Sequence, residues 1–264
     1  MQRSSVGYIL LFAAVVSLVC GVLVSAAAVS LKDRQRANAD LERKANVLVA
    51  AGLAAPGEDL GAAEVESRFA GVRAVVIDLE TGADVPDADP AAFDQQKTKR
   101  DPVLGRAAPA NDAGIKRVPR QAVVYRVLGD RGETRMVVLP IEGLGLWSTL
   151  YGFIALDADV DTVRGLTYYQ HGETPGLGGE VDNPRWKALW PGRRAFGDGS
   201  EPVISVIKGS AGPVGEDPHH VDGLSGATIT SRGVTNMLHF WLGDNGFGPL
   251  LERLRHESAE RKAA

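Results

Sequence analysis

From Val6 to Leu31 the chain carries no charged residue, and no other feature constrains its fold as strongly. A helix crossing a bilayer needs roughly 20 mainly apolar residues at about 1.5 Å each. This run is long enough to cross with some tilt. A cleaved signal peptide is the competing reading, because Ser25, Ala26, Ala27 and Ala28 offer the small residues a signal peptidase accepts. The apolar core of a signal peptide, however, is only about 7–15 residues long. Lipid attachment at Cys20 is disfavoured by Val19, which stands where a small residue is expected. A retained single-pass anchor is the expectation. Flanking charge leaves its orientation open: Lys32, Arg34 and Arg36 follow the run and Arg3 precedes it. The positive-inside bias then puts the following domain in the cytoplasm, yet long domains translocate despite such charge.

The rest of the chain has an ordinary globular make-up. With 264 residues, 44% hydrophobic and 23% charged, it can bury a core in one or two domains. The formal net charge of -4 comes without a basic stripe, so nucleic acid is not an expected partner. Cys20 is the only cysteine. The chain therefore forms no internal disulfide and cannot supply four thiolates to an iron-sulfur cluster.

Past the apolar run, residues 32–48 are rich in helix formers, with Leu41, Ala45 and Leu48 at helical spacing. They read as a charged helix leaving the bilayer. A second short helix is expected from Ala63 to Phe69 and a strand from Arg73 to Leu79. Residues 84–119, dense in Pro, Asp, Ala and Lys, show little periodicity and read as a long exposed connection. Ala122–Leu128 and Thr134–Leu139 around Gly129–Gly132 form a hairpin pattern, followed by strands at Tyr151–Leu156 and Val203–Ile207. Strands not alternating with crossover helices favour an α+β fold. The expected organisation is an anchor over 1–36, a membrane-proximal region over 37–120 and a principal domain over 121–264.

Two glycine-rich segments invite a ligand reading. Gly143 to Ser148 lacks the G-x-G-x-x-G spacing and runs into a strand, which excludes a dinucleotide fingerprint; a tight turn and a cofactor-facing role for Trp147 both remain open. His171 to Glu180 has glycines at 172, 176, 178 and 179 around Pro175, a composition that excludes a helix or a regular strand. Its backbone groups are free to meet the polar edge of a flat ring such as a flavin, with Leu177 on the face, though an ordinary surface loop has the same composition. A metal site at His171 and Glu173 lacks further ligands at a sensible spacing, and His219 and His220 diverge on an extended chain.

The most specific segment is Asp222-Gly223-Leu224-Ser225-Gly226-Ala227-Thr228. After it, Val234, Met237, Leu238, Trp241 and Leu242 recur at helical spacing, with Thr230 or Ser231 as the expected N-cap and Gly243 as the stop. Thr228 then stands beside free backbone N–H groups and the positive end of the helix dipole, where a phosphate is stabilised. Ser225 and Thr228 acting only as helix caps would be compatible with the same pattern.

This segment resembles the flavinylation motif of the FMN-binding domain family. His171 to Glu180, continuing through Asn183-Pro184-Arg185-Trp186, is similar to the loop characteristic of the C subunits of the Na+-translocating NADH:quinone reductases. The span, the charged helix and the length are similar too; residues 84–120 have no match. The resemblance implies one FMN, joined covalently through its phosphate to Thr228 by a flavin transferase. Ser225, Gly226 and Ala227 would surround the phosphate, Glu173, Thr174 and Leu177 would border the isoalloxazine, and Trp147 and Lys208 would lie nearby. No catalytic residue is implied. The implied role is electron relay toward quinone within a complex of six subunits in the bacterial inner membrane, with the main domain periplasmic. A G subunit of the related ferredoxin:NAD+ oxidoreductase shares the motifs, and a membrane-anchored non-redox binding protein would use the same turn only as a cap.

Overall fold

The computed structural model describes residues 5–263, and the chain divides after Arg43 into two compact units. The first is helical. α1 (Val6–Ala50) is one continuous helix, so the apolar run and the charged segment expected to follow it share a single backbone. No proline interrupts residues 6–50, and Ala, Leu, Glu, Arg and Lys dominate beyond Leu31, which favours continuation. Its large apolar side chains between Val6 and Leu31 are exposed, and the helix is long and apolar enough to cross a membrane.

From Lys44 onward the chain forms one unit, without the division expected at 120. It comprises α2 (Ala62–Phe69), β1 (Val72–Asp78), α3 (Gln95–Arg100), β2 (Gly105–Ala107), β3 (Arg117–Pro119), β4 (Gln121–Leu128), β5 (Thr134–Leu144), β6 (Thr149–Asp157), β7 (Val163–Gln170), α4 (Pro184–Lys187), β8 (Ser205–Val206), β9 (His220–Val221), α5 (Thr228–Leu242) and α6 (Gly248–Ala263). Strands β1-β4-β5-β6-β7 form one antiparallel sheet in that order. The class is α+β, as expected. The division at 120 fails because β1 pairs along β4, from Val72 opposite Val127 to Asp78 opposite Gln121.

Alternation along the strands sends successive side chains to opposite faces. Val124, Leu139, Ile141 and Ile154 join Met237, Leu238 and Trp241 of α5 and Leu250 and Leu251 of α6 in one apolar core. Trp241 Nε1 donates to the Glu142 carbonyl at 2.7 Å, which fixes α5 on β5. On the other face, Tyr125 meets Phe69 and Phe153 edge-on, with centroids 6.1 and 5.9 Å apart. Pro140 lies within β5, where a missing N–H would break a central ladder. It is tolerated because pairing with β4 reaches only Val138, while β6 continues alongside Pro140 and Leu144.

Residues 84–119 are more ordered than their composition indicates. They hold α3 and the β2–β3 pair, and Ala113, Ile115 and Val118 are buried. Short polar side chains supply the order that periodicity does not: Asp94 accepts from the Gln96 and Lys97 amides at 3.1 Å, and Asn111 donates to the carbonyls of Pro109 and Ile115 at 2.8 Å. The strand expected over Val203–Ile207 shortens to β8, which pairs parallel with β9. β7 and α6 have no counterpart among the elements expected from the sequence.

Candidate functional site

Leu224 to Ala227 form the turn that delivers Thr228 as the first residue of α5. Gly226 has φ of +70°, a conformation costly to any residue with a side-chain carbon. The helix begins earlier than expected, and neither Thr230 nor Ser231 caps it: the N-cap is Ala227, and no side chain closes the first turn. The two hydroxyls are used elsewhere because both face inward. Ser231 Oγ accepts from the Leu224 amide at 3.1 Å, holding the turn against the helix. Thr230 is fully buried. The open N–H end of α5 is thus left available to an anion.

That end opens into a cleft of about 620 Å³ whose lining includes Thr228, Ser225, Gly226, Lys208, Asp222 and Arg232. Thr228 and Ser225 are exposed there. Asp222 is already engaged, accepting from the Ala211 amide at 2.8 Å and from Ser210 Oγ at 3.2 Å. Its carbonyl accepts from Trp186 Nε1 at 2.9 Å, so the motif is anchored at its first residue. Ala227 is buried and shapes the turn from within.

The second glycine-rich segment closes around a carboxylate. Glu173 accepts from the amides of Trp147 at 2.9 Å and of Leu146 and Ser148 at 3.2 Å, and from Thr230 Oγ1 at 2.7 Å. Burial pushes this carboxyl up, but the Thr230 hydroxyl and the three amides together hold it below the usual carboxylate range. Glu173 therefore does not line the cleft; it ties the β5–β6 turn, its own loop and α5 together. The Gly143–Ser148 stretch is a tight turn, closed by Gly145 N donating to the Ser148 carbonyl at 2.8 Å. Trp147 at its tip is 71% exposed.

Of the residues expected in the site, Thr228, Ser225, Gly226 and Lys208 share the cleft. Leu177 is 45% exposed and lies against Gly226, where an added Cβ would stand 2.9 Å from its Cδ2. Thr174 and Trp147 are outside the lining; the Thr174 carbonyl instead closes the loop by accepting from Leu177 and Gly179 at 3.1 and 2.9 Å. The His171–Glu180 stretch, expected to be irregular throughout, ends in a 3-10 turn from Gly178. His171 Nε2 lies 2.7 Å from Asp182, and His220 Nδ1 2.8 Å from Asp217. Among the described residues no group of His, Cys, Asp and Glu is placed to hold a metal ion. Arg232 also lines the cleft without having been expected there, although its position four residues after Thr228 on a well-marked helix is a readable signal.

Residues 145–243, which hold the His171–Glu180 loop, the turn before Thr228 and α5, match the model of the FMN-binding domain. The C subunit of the Na(+)-translocating NADH-quinone reductase of Yersinia pestis is 48% identical over 257 residues, covering 96% of this chain and 95% of that protein. The corresponding C subunit of Pseudomonas aeruginosa is 48% identical over 254 residues, covering 95% and 96%. The crystal structure of Shewanella oneidensis NqrC superposes with a TM-score of 0.74 at 36% identity, over 81% of this chain and 97% of that one. The two sequence matches run nearly end to end and so take in residues 84–120, for which the motifs alone gave no counterpart. The chain belongs to the family of C subunits of the Na+-translocating NADH-quinone reductase.

Proposed function

We propose that the chain is the FMN-carrying electron-relay subunit of a membrane-bound Na+-translocating NADH:quinone reductase, with the flavin joined through its phosphate to Thr228 Oγ1. The observation that carries the attachment site is accessibility. Thr228 is exposed in the cleft at the open end of α5, whereas Thr230 is fully buried and bonded to Glu173. An enzyme that modifies this chain meets the first hydroxyl and not the second.

The residues present fit FMN. The uncapped first turn of α5 and the cations Lys208 and Arg232 suit a phosphate, and Leu177 gives an apolar surface against Gly226 on which a ring can lie. When bound, FMN supplies the redox chemistry. The chain's own residues position it: Glu173 fixes three segments relative to one another, Ser231 holds the turn, and Trp186 anchors Asp222. In this reading α1 holds the protein in the bacterial inner membrane and the second unit is periplasmic, within a complex of six subunits that passes electrons toward quinone. Maturation uses a flavin transferase.

A denaturing gel of the full chain made with the transferase tests the attachment. In-gel flavin fluorescence that disappears in Thr228→Ala and persists in Thr230→Val supports it; a dark wild-type band overturns it.

A further inference from the structure

We propose that Arg232 is the counter-ion of the flavin phosphate and that through it the cleft selects phosphorylated flavins before any bond at Thr228 is made; the inference rests on the reading of the cleft given above. Arg232 follows Thr228 by four residues within α5, so the two share one helix face, with Cβ atoms about 5–6 Å apart. Helical side chains lean toward the N-terminus, which carries the guanidinium of Arg232 back over the turn that presents Thr228. Both residues line the same cleft, and Arg232 is exposed in it.

Arg232 is also uncommitted. Among the described residues its guanidinium has no hydrogen-bond or ion-pair partner, while Asp222, the carboxylate in the lining, is taken by the Ala211 amide and the Ser210 hydroxyl. A planar guanidinium offers a fork of N–H donors matched to two phosphate oxygens, which the point charge of a lysine does not. The helix end contributes further N–H donors and its partial positive charge. Riboflavin has the same ring system as FMN but no phosphate, so this arrangement distinguishes the two by charge alone.

The full chain, made without the transferase and kept in detergent, is titrated with FMN and with riboflavin, and the quenching of flavin fluorescence is followed. The wild-type chain is expected to bind FMN about tenfold more tightly than riboflavin at low salt, with the advantage shrinking at high salt. Arg232→Gln should remove most of that advantage and leave riboflavin binding unchanged, and Arg232→Lys should restore part of it. No FMN advantage in the wild-type chain, or one that Arg232→Gln leaves intact, overturns the proposal. Wild-type chain made with the transferase separates the two failures. If its gel band fluoresces, attachment at Thr228 stands and only the part given to Arg232 falls; if it is dark, the reading of the cleft falls with it.

Discussion

Thr230 Oγ1 donates a 2.7 Å hydrogen bond to Glu173 Oε2 across 57 residues of sequence. That contact, with the three amides of the β5–β6 turn on the same carboxylate, is what makes one site out of three separate segments. Thr230, the hydroxyl two residues beyond Thr228, is consumed in building the scaffold.

Replacing Glu173 by Gln should therefore loosen the site as well as the fold. A carboxylate accepts all four donors, whereas a Gln amide turns an NH2 group toward at least one of them and leaves a buried donor unsatisfied. The expected cost is about 1–3 kcal/mol, seen as a lower melting temperature at neutral pH. A melting curve identical to wild type would show that the carboxylate does not hold these segments.

The same carboxylate gives a pH dependence with a definite sign. Its folded-state pKa is lowered from the ordinary 4.5, so the stability it contributes is complete above that value. It is lost as pH falls from there through the lowered folded value. Wild type should lose stability in this acid window more steeply than Glu173→Gln, and the two curves should run parallel at neutral pH. Parallel curves throughout the acid window would count against the shift.

Part of this was readable in the residues and part was not. The hairpin and β6 announce themselves as apolar runs rich in β-branched and aromatic residues bounded by turn residues, and α5 by the spacing of Val234, Met237, Leu238 and Trp241, which buries one face of the helix. β7 escaped because Arg164 and Gly165 break its apolar run, and α6 because its charged residues hide Leu250, Leu251 and Leu254. The turn before α5 was legible in the small residues of Ser225-Gly226-Ala227, although the start of the helix at Thr228 was not. What Glu173 does was not, since its partners Leu146, Trp147, Ser148 and Thr230 come from two other segments and only tertiary structure brings them in. The cap assigned to Thr230 or Ser231 failed for the same reason: local chemistry allows it, but burial diverts both hydroxyls.

Gly233 sits where α5 passes close to the end of β5. A Cβ there would stand 2.3 Å from the Leu144 carbonyl oxygen, a backbone atom that cannot move without displacing the end of β5. Gly233→Ala should lose about 1–3 kcal/mol to this overpacking, despite the better helix propensity of alanine. Chemical denaturation reads the cost directly, and a stabilised variant would contradict the close approach.

Arg193 is 2% exposed and spends its guanidinium on carbonyls: Gly212 at 2.8 Å, Leu189 at 3.2 Å and Asp217. It thereby holds the segment after Ser210, beside the cleft. Arg193→Met fills similar space but leaves those carbonyls without their donor, at an expected cost of about 2–3 kcal/mol. Limited proteolysis should then cut within residues 209–217 faster than in wild type, and equal rates of cutting would argue that other contacts hold the segment.

Lys208 lines the cleft with Thr228 and is exposed there. A cation beside a flavin stabilises negative charge gained on reduction, so Lys208→Gln should lower the midpoint potential of the flavin carried by the chain. Because the residue is exposed, the interaction is screened, and about 0.5 kcal/mol is the expected size, roughly 20 mV for a one-electron couple. The difference between wild type and variant should shrink as salt is raised, and Lys208→Arg should keep the wild-type potential. A redox titration in which Lys208→Gln matches wild type at low salt would place this cation away from the ring, leaving it at most the phosphate to act on.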